Sequence, residues 1–249
     1  GAGMDRVVQR WDVARAGIDY AWIIAAALFL LVPLGMVVLR GLPGIFDLPD
    51  TIWAAALRSI TVAIGSAVLC VSMALALALR GGGLTAIVGV LPLAASGLVV
   101  GTGAFLIVFP FVRPADVALF VTFLVNATLA LPFALRAIGP AAAQINADYG
   151  RLGASLGISG WAWVRLIVLP RMRKPLGFAT GLAAALSMGD LGVIALFAGQ
   201  AEETLPLAMY RLMGAYRMET AASAALLLLS LSLLLFWICD RGGRANADV

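Results

Sequence analysis

The stretch that decides the fold covers residues 148–192 and reads DYGRLGASLGISGWAWVRLIVLPRMRKPLGFATGLAAALSMGDLG. It is the only long polar segment between apolar runs. Gly157 is suited to the positive φ of a helix stop, and Ser159 is suited to capping the next short helix. Pro170 is expected to end that second helix before a basic cluster. The pattern predicts a helix, a glycine turn and a second helix lying against a membrane face.

The composition of the chain is that of a membrane protein. Apolar residues make up 63% and charged residues only 12%, which excludes a water-soluble globule with a polar surface. The sequence pI is about 9.6, but the basic residues stand at the ends of apolar runs rather than among aromatics, so nucleic-acid binding is not indicated. Cys70 and Cys239 lie far apart in apolar runs and are expected to be reduced, structural thiols.

Six apolar runs predict an all-α, polytopic transmembrane helix bundle within a single domain covering residues 1–249. Twenty helical residues at about 1.5 Å each cover the roughly 30 Å hydrocarbon layer. The predicted spans are residues 20–39, 52–79, 84–109, 117–135, 176–197 and 221–238. Pro92 and several glycines predict that the third span is broken or tilted. Residues 1–19 are expected to form a short surface helix, and residues 140–175 a long loop.

The positive charges predict the orientation, because Lys and Arg accumulate on the cytoplasmic side of membrane proteins. With both termini inside, the outer side carries five of the 17 Lys and Arg residues. These five are Arg40, Arg58, Arg113, Arg211 and Arg217. The other twelve, including those of the long loop, fall inside. We therefore expect the loop over residues 140–175 to be cytoplasmic.

Two polar residues within the apolar runs are candidates for a translocation pathway or gate. Asp190 is the only acid in these runs, and an acid at the bilayer centre costs roughly 2.5–3.5 kcal/mol, so it should face protein or water. Asp190 either lines a path for a cation or caps a helix that breaks near Gly189 and Gly192. Asn126, near the middle of the fourth span, makes either a helix-to-helix hydrogen bond or a substrate contact.

A strip of small residues follows one flank of the fifth span. Its members Gly177, Gly181, Ala185 and Gly189 recur every four residues, which allows another backbone to approach closely. The strip serves either helix packing or a pathway in which Gly181, Ala185 and Gly189 lie between moving halves. The sequence does not separate these two roles.

Several classes of active site are excluded by the residues that the sequence lacks. It contains no histidine, no P-loop and no cysteine pair at zinc spacing, so it cannot bind ATP in the P-loop manner or build a catalytic triad. We expect no enzymatic activity, no metal site and no cofactor in this chain.

The polar segment resembles part of the EAA loop of the permeases of ABC importers. The matching pattern is a glycine, nine residues and I-x-L-P, carried here by Gly157, Ile167, Leu169 and Pro170. In place of the family's Glu-Ala-Ala stands Arg-Leu-Gly at residues 151–153. Further on, LSMGDLGVIALF and TLPLAMYRLMGAYRMETAASAALLLL are similar to the C-terminal half of bacterial thiamine permeases. That likeness extends over about residues 101–236.

The resemblance implies a type I ABC-importer (MetI-like) permease fold in the bacterial inner membrane. It also implies an ABC ATPase that holds ATP and Mg, a periplasmic substrate-binding protein, and a second permease half, fused upstream or separate. The implied ATPase-coupling residues are Asp148, Tyr149, Arg151, Leu152, Ala154, Ser155, Leu156 and Gly157. On the outer side, Glu202, Glu203, Tyr210 and Tyr216 either meet the binding protein or form an ordinary interfacial helix.

The function implied by the resemblance is ATP-driven import of thiamine or a phosphorylated thiamine by alternating access. One alternative keeps the fold and changes the cargo to ferric iron or a polyamine. A more distant alternative is a membrane enzyme or scaffold without a transport role.

Overall fold

The computed structural model describes residues 16–197, 199 and 203–245. All regular secondary structure in this part of the chain is helical, which confirms the predicted all-α class. Most of the surface helix predicted over residues 1–19 lies outside the described residues. Residues 16–19 belong to the first long helix instead.

The helices of the described residues are numbered in chain order. The helices are α1 Ala16–Gly41, α2 Asp50–Arg80, α3 Gly83–Ala94, α4 Gly97–Val108, α5 Ala118–Ser155, α6 Gly160–Trp163, α7 Leu169–Arg171, α8 Arg173–Met188, α9 Ile194–Phe197, α10 Leu205–Gly214 and α11 Met218–Ala245. A 3-10 turn, Pro114–Val117, precedes α5, and a π-helical turn, Val164–Val168, joins α6 to α7.

Among the described residues, four helices are long and apolar enough to cross a membrane. They comprise residues Gly17–Gly41, Asp50–Arg80, Pro114–Ser155 and Met218–Arg244. The predicted third span is divided into α3 and α4, which confirms the expected break. At 16 residues, α8 covers only about 24 Å. The total of six spans therefore stays a prediction.

Helix α5 is longer than the span predicted within it, and the end of the fourth span near residue 135 stays a prediction. Helix α5 does not stop near residue 135 but continues to Ser155, with Pro132 and Pro140 inside it. Prolines are tolerated in membrane helices because neighbouring groups satisfy the freed backbone carbonyls. Most of the predicted loop over residues 140–175 is therefore helical. The connection between α5 and α6 is a short elbow.

Two helix ends lie close to positions named in the sequence analysis. The apolar run of the fifth span was expected to reach residue 197, but α8 ends at Met188, next to Gly189, which agrees with the alternative of a helix break near Gly189 and Gly192. The second helix ends at Arg171, one residue after Pro170. The Leu169 N–H bonds back five residues to Val164, and this wider turn accommodates the proline ring.

Helices α2, α5 and α8 form the centre of the bundle. Helix α11 packs on α8, and α1 packs on α11. Helices α3 and α4 both contact α5. Small side chains dominate the central core: Ala67, Ala74, Ala127, Ala130, Ala134, Ala179, Ala183 and Ala184. Lipid offers no hydrophobic drive for helix association, so close backbone approach between small residues supplies the packing energy.

Part of the small-residue strip on α8 packs directly on α11. A Cβ added to Gly177 would lie 2.6 Å from the Cys239 carbonyl oxygen, and one added to Gly181 would lie 2.9 Å from the Phe236 carbonyl oxygen. These two positions confirm the expected close approach. Ala185 is half-buried, and a Cβ at Gly189 would meet only the last turn of α8 itself.

Replacing Gly177 with alanine should destabilise the contact between α8 and α11. The added methyl group would overlap α11 backbone atoms, and overpacking of this kind costs about 1–3 kcal/mol. Gly103→Ala is the matched control, because open space surrounds that helical glycine and alanine favours a helix by about 0.5–1 kcal/mol. Thermal unfolding of the purified protein in detergent measures both variants. Equal stability of the two would contradict the packing role.

Candidate functional site: a polar pocket beside two helix breaks

A buried chain of hydrogen bonds joins the three central helices. The Asn126 amide nitrogen on α5 donates to Ser187 Oγ on α8 at 2.9 Å. Ser187 Oγ lies 3.2 Å from Ser66 Oγ on α2, to which it donates. All three side chains are buried. The helix-to-helix hydrogen bond considered for Asn126 is therefore present, and such bonds contribute about 0.6 kcal/mol each on average in a membrane protein.

Asp190 lies just beyond the end of α8, between the starts of two other helices. The backbone N–H groups of Gly192 and Val193, which precede α9, interact with its carboxyl group. Its Oδ1 atom lies 3.5 Å from the point that a Cβ on Gly97, the first residue of α4, would occupy. Helix starts carry partial positive charge and favour a carboxylate. The arrangement is that of a cap between broken helices.

The two helix breaks face each other. A Cβ on Gly192, between α8 and α9, would lie 3.5 Å from the Leu98 nitrogen in the first turn of α4. A Cβ on Gly101 would lie 3.4 Å from the Val193 Cα atom. Irregular backbone at membrane depth is tolerated only where protein buries it or where it lines a cavity. In transporters, discontinuous helices of this kind form substrate sites.

A pocket of about 180 Å³ adjoins these breaks. Its lining residues are Asn126, Leu129, Ala130, Phe133, Leu186, Ser187 and Asp190. Asn126 Oδ1 and Asp190 Oδ2 are buried, and among the described residues neither has a hydrogen-bond partner. Buried acceptors without partners are rare and costly. The pocket therefore suits a ligand or water that donates hydrogen bonds.

The structure brings together only part of the predicted pathway set. Asn126 and Asp190 share the pocket, whereas Gly181 faces α11 and neither Ala185 nor Gly189 lines the pocket. Sequence reasoning missed two serines of the network, Ser66 and Ser187. The signal was available, since both are polar residues in apolar runs and Ser187 precedes Asp190 by three residues, about one helical turn.

The elbow after α5 has the geometry of a glycine-terminated helix. Gly157 has φ of 68°, its N–H bonds to the Ala154 carbonyl at 3.2 Å, and the Ile158 N–H bonds to the Gly153 carbonyl at 2.9 Å. This is a Schellman motif, and it confirms the predicted helix stop. Ser159 stands at the cap position of α6, but its side chain makes no capping hydrogen bond.

Two aromatic contacts close the elbow. A Cβ on Gly153 would collide with the indole ring of Trp163, which explains why glycine stands where the resemblance predicts alanine. The Arg171 guanidinium lies 4.2 Å from the centre of the half-buried Tyr149 ring. These contacts hold α5 and the α6–α7 segment together as one unit.

The other predicted coupling residues lie on the outside of this elbow. Leu152 is 52% exposed, Leu156 is 64% exposed, and Trp161 beside them is 70% exposed. The smaller or charged members Asp148, Arg151, Ala154, Ser155 and Gly157 are exposed as well. The elbow therefore presents an apolar surface that also carries one acidic residue, Asp148, and one basic residue, Arg151.

The predicted outer segment contains an acid held in an ion pair and two exposed tyrosines. Glu203 forms an ion pair with Arg211, while Tyr210 and Tyr216 are exposed; Glu202 lies outside the described residues. Tyr216 has φ of 60°, and the Arg217 N–H bonds back to the Leu212 carbonyl at 2.9 Å. Tyr216 therefore occupies the left-handed position of the motif that ends α10.

Comparison with known proteins identifies the family. The chain is 35% identical over 247 residues to the thiamine transport system permease protein ThiP of Salmonella typhimurium, covering 92% of this chain and 46% of the relative. It is 34% identical to ThiP of Escherichia coli, covering 90% of this chain and 44% of the relative. The chain belongs to the family of bacterial transport-system permeases. It is therefore a multi-pass membrane protein.

The permease likeness extends further than the sequence motifs indicated. It covers about nine tenths of the chain rather than residues 101–236 alone, and it corresponds to the C-terminal half of the ThiP proteins. The chain thus spans about half the length of these relatives. A permease of Salmonella paratyphi A named for 2-aminoethylphosphonate transport, PhnV, is 28% identical over 76% of this permease chain and 74% of its own. No protein-family model matches the chain.

Removing the central hydroxyl group of the network should loosen the bundle. In Ser187→Ala, the Asn126 amide and Ser66 both lose a partner, and we expect a loss of about 0.5–2 kcal/mol in unfolding free energy. The control is Ser72→Ala, whose exposed hydroxyl bonds only to the Val68 carbonyl of its own helix. Unfolding in mixed micelles measures both. A loss no larger than that of the control would contradict the network's structural role.

Proposed function

We propose that this permease chain forms one half of the membrane pathway of an ATP-driven importer for thiamine or a phosphorylated thiamine. The observation that carries the proposal is its 34–36% identity, over about nine tenths of its length, to permeases named for thiamine transport. Because it spans less than half of those relatives, a second permease half, fused or separate, would complete the pathway. Both termini would be cytoplasmic, in a bacterial inner membrane.

ATP hydrolysis would belong to a partner subunit that docks on the elbow. Leu152, Leu156 and Trp161 offer the apolar contact there. Arg151 replaces the acid of the family motif, so it would meet an acceptor or an acidic group on the ATPase. The elbow would transmit a push into α5, which is one continuous helix over the 30 residues from Asn126 to Ser155, about 45 Å.

The outer surface would receive a substrate-binding protein. Tyr210 and Tyr216 project there, while Glu203 is held by Arg211. Arg58 on α2 donates to the Glu203 carbonyl oxygen at 3.5 Å. This contact connects the outer segment to the central bundle. A partner that displaced the segment would therefore pull on α2.

The polar pocket would act as the gate in a closed state of the pathway. Its volume of about 180 Å³ is below the roughly 300 Å³ at which pockets for drug-sized ligands begin. A cationic cargo bearing N–H groups would meet the two unpaired acceptors, Asn126 Oδ1 and Asp190 Oδ2, once the helix breaks separate. The small residues Gly181, Ala185 and Gly189 would then act through movement of α8 rather than by touching cargo.

Uptake by the complete transporter tests the proposed cargo. With this permease, its ATPase and its binding protein in proteoliposomes, labelled thiamine should accumulate only when ATP is supplied on the ATPase side. Unlabelled thiamine should compete, whereas 2-aminoethylphosphonate, ferric iron and polyamines should not. Competition by one of these instead would identify a different cargo on the same fold. Absence of any ATP-dependent uptake would favour an enzyme or scaffold.

The glycine at the elbow should control coupling between ATP hydrolysis and transport. In Gly157→Val, a β-branched residue must adopt a left-handed conformation costing about 1–2 kcal/mol, so the docking turn is distorted. We expect thiamine uptake per ATP hydrolysed to fall about five-fold or more. Gly139→Ala, at an open position within α5, should leave this ratio unchanged. A normal ratio in Gly157→Val would refute docking at the elbow.

A further inference from the structure

The polar pocket beside the helix breaks has the size of one aromatic ring. Its volume is about 180 Å³, and a cavity of about 150 Å³ in a protein interior is large enough to bind benzene. Four of its lining residues are apolar: Leu129, Ala130, Phe133 and Leu186. The pocket therefore suits a planar six-membered ring that also carries a polar group.

The orientation of the Asn126 amide is fixed by its neighbour on α8. Its nitrogen lies 2.9 Å from Ser187 Oγ and 3.4 Å from the Ser187 carbonyl oxygen. A carbonyl oxygen accepts hydrogen bonds and cannot donate them, so the amide nitrogen rather than the amide oxygen must face Ser187. Asn126 is only 4% exposed, and its Oδ1 atom has no partner among the described residues. It is an acceptor that remains for another molecule.

Asp190 supplies a second acceptor beside the same pocket. Backbone N–H groups of Gly192 and Val193 interact with its carboxyl group, yet Oδ2 is buried and has no partner within the described part of the chain. The hydroxyl group of Ser187, which also lines the pocket, already donates to Ser66 Oγ. The described lining therefore offers two unpaired acceptors, and it includes no basic side chain.

We propose that this pocket recognises the amino group of an aminopyrimidine ring. Such a group carries two N–H donors, one for Asn126 Oδ1 and one for Asp190 Oδ2, and the ring packs against the apolar wall. The inference rests on the proposed function, because thiamine joins an aminopyrimidine ring to a positively charged thiazolium ring. It adds that these two residues select the amino group rather than the charge. The thiazolium ring stays outside the pocket, which holds one ring only.

Transport of an analogue that lacks the amino group tests this assignment. In oxythiamine, a carbonyl oxygen replaces the amino group, so an acceptor would face Asn126 Oδ1 and Asp190 Oδ2. The complete transporter in proteoliposomes is supplied with labelled thiamine or labelled oxythiamine, and the ratio of the two uptake rates is measured. We expect the unchanged transporter to prefer thiamine, because its two buried acceptors lose their donors when oxythiamine is bound.

The variant Asp190→Asn should reduce this preference about ten-fold. Its amide oxygen can still accept from the Gly192 and Val193 N–H groups, while its nitrogen can donate to the carbonyl oxygen of oxythiamine. The control is Thr128→Val, because the exposed Thr128 hydroxyl bonds only to the Leu124 carbonyl of its own helix. This control should keep the original ratio. The binding protein is the same in every experiment, so a changed ratio must arise in the permease.

The outcomes separate this inference from the proposed function. An unchanged ratio in Asp190→Asn, or an equal loss of thiamine and oxythiamine uptake, would overturn recognition of the amino group and leave Asp190 as a helix cap. Absence of thiamine uptake by the unchanged transporter would overturn the proposed function and this inference with it. If Asp190→Asn binds cargo without transporting it, equilibrium binding of the two labelled compounds to the solubilised transporter gives the same ratio.

A second analogue distinguishes the amino group from the positively charged ring. Pyrithiamine keeps the aminopyrimidine and carries a pyridinium ring in place of the thiazolium. We expect its uptake to follow that of thiamine in the unchanged transporter and in both variants. If Asp190→Asn instead altered the ratio of thiamine to pyrithiamine uptake as strongly as that of thiamine to oxythiamine, the residue would face the charged ring, and the inference would be wrong.

Discussion

The structure depends on one constraint, that backbone and side-chain polar groups within a hydrocarbon layer must find partners inside the protein. Two helices nevertheless break within apolar runs of the sequence, between α3 and α4 and between α8 and α9. They are tolerable because they lie against each other, with Asp190 between them. The carboxyl group meets backbone N–H groups of Gly192 and Val193 that would otherwise lack partners. The Asp190 carboxyl group therefore accepts hydrogen bonds from backbone N–H groups that would be bonded to water in a soluble protein.

The same constraint explains the small residues of the core. Helices that gain little from hydrophobic burial are held by close packing and by hydrogen bonds between them. The alanines of α2, α5 and α8 let these helices approach closely enough for Ser66, Ser187 and Asn126 to bond in sequence. The polar network therefore depends on the alanine-rich core, because small side chains allow the three helices to come within hydrogen-bonding distance. On the far side of α8, Gly177 and Gly181 do the same for α11.

The sequence predicted features that are decided locally, and it was less accurate where distant contacts decide. Gly157 predicted the elbow correctly, because a positive φ is favoured by the glycine itself and needs no distant contact. The continuation of α5 to Ser155 was not predicted, because the fourth span followed the apolar run, which ends near residue 135. The end of α8 at Met188 agrees with the helix break expected near Gly189 and Gly192, but the facing start of α4 is a tertiary contact that periodicity does not reveal. Trp163 explains Gly153 only through tertiary contact.

The two interpretations of Asp190 are compatible, because its two oxygens have different surroundings. Oδ1 faces the helix starts, whereas Oδ2 is buried beside the pocket without a partner among the described residues. Helix α8 begins at Arg173, just after the α6–α7 segment, and ends next to this acid. The hydrogen bond between Asn126 and Ser187 connects it to α5. A displacement at the elbow would move both helices together. The α8–α9 break would then separate from the start of α4 between Asp190 and Gly97, where no side chain of α4 bonds to the acid.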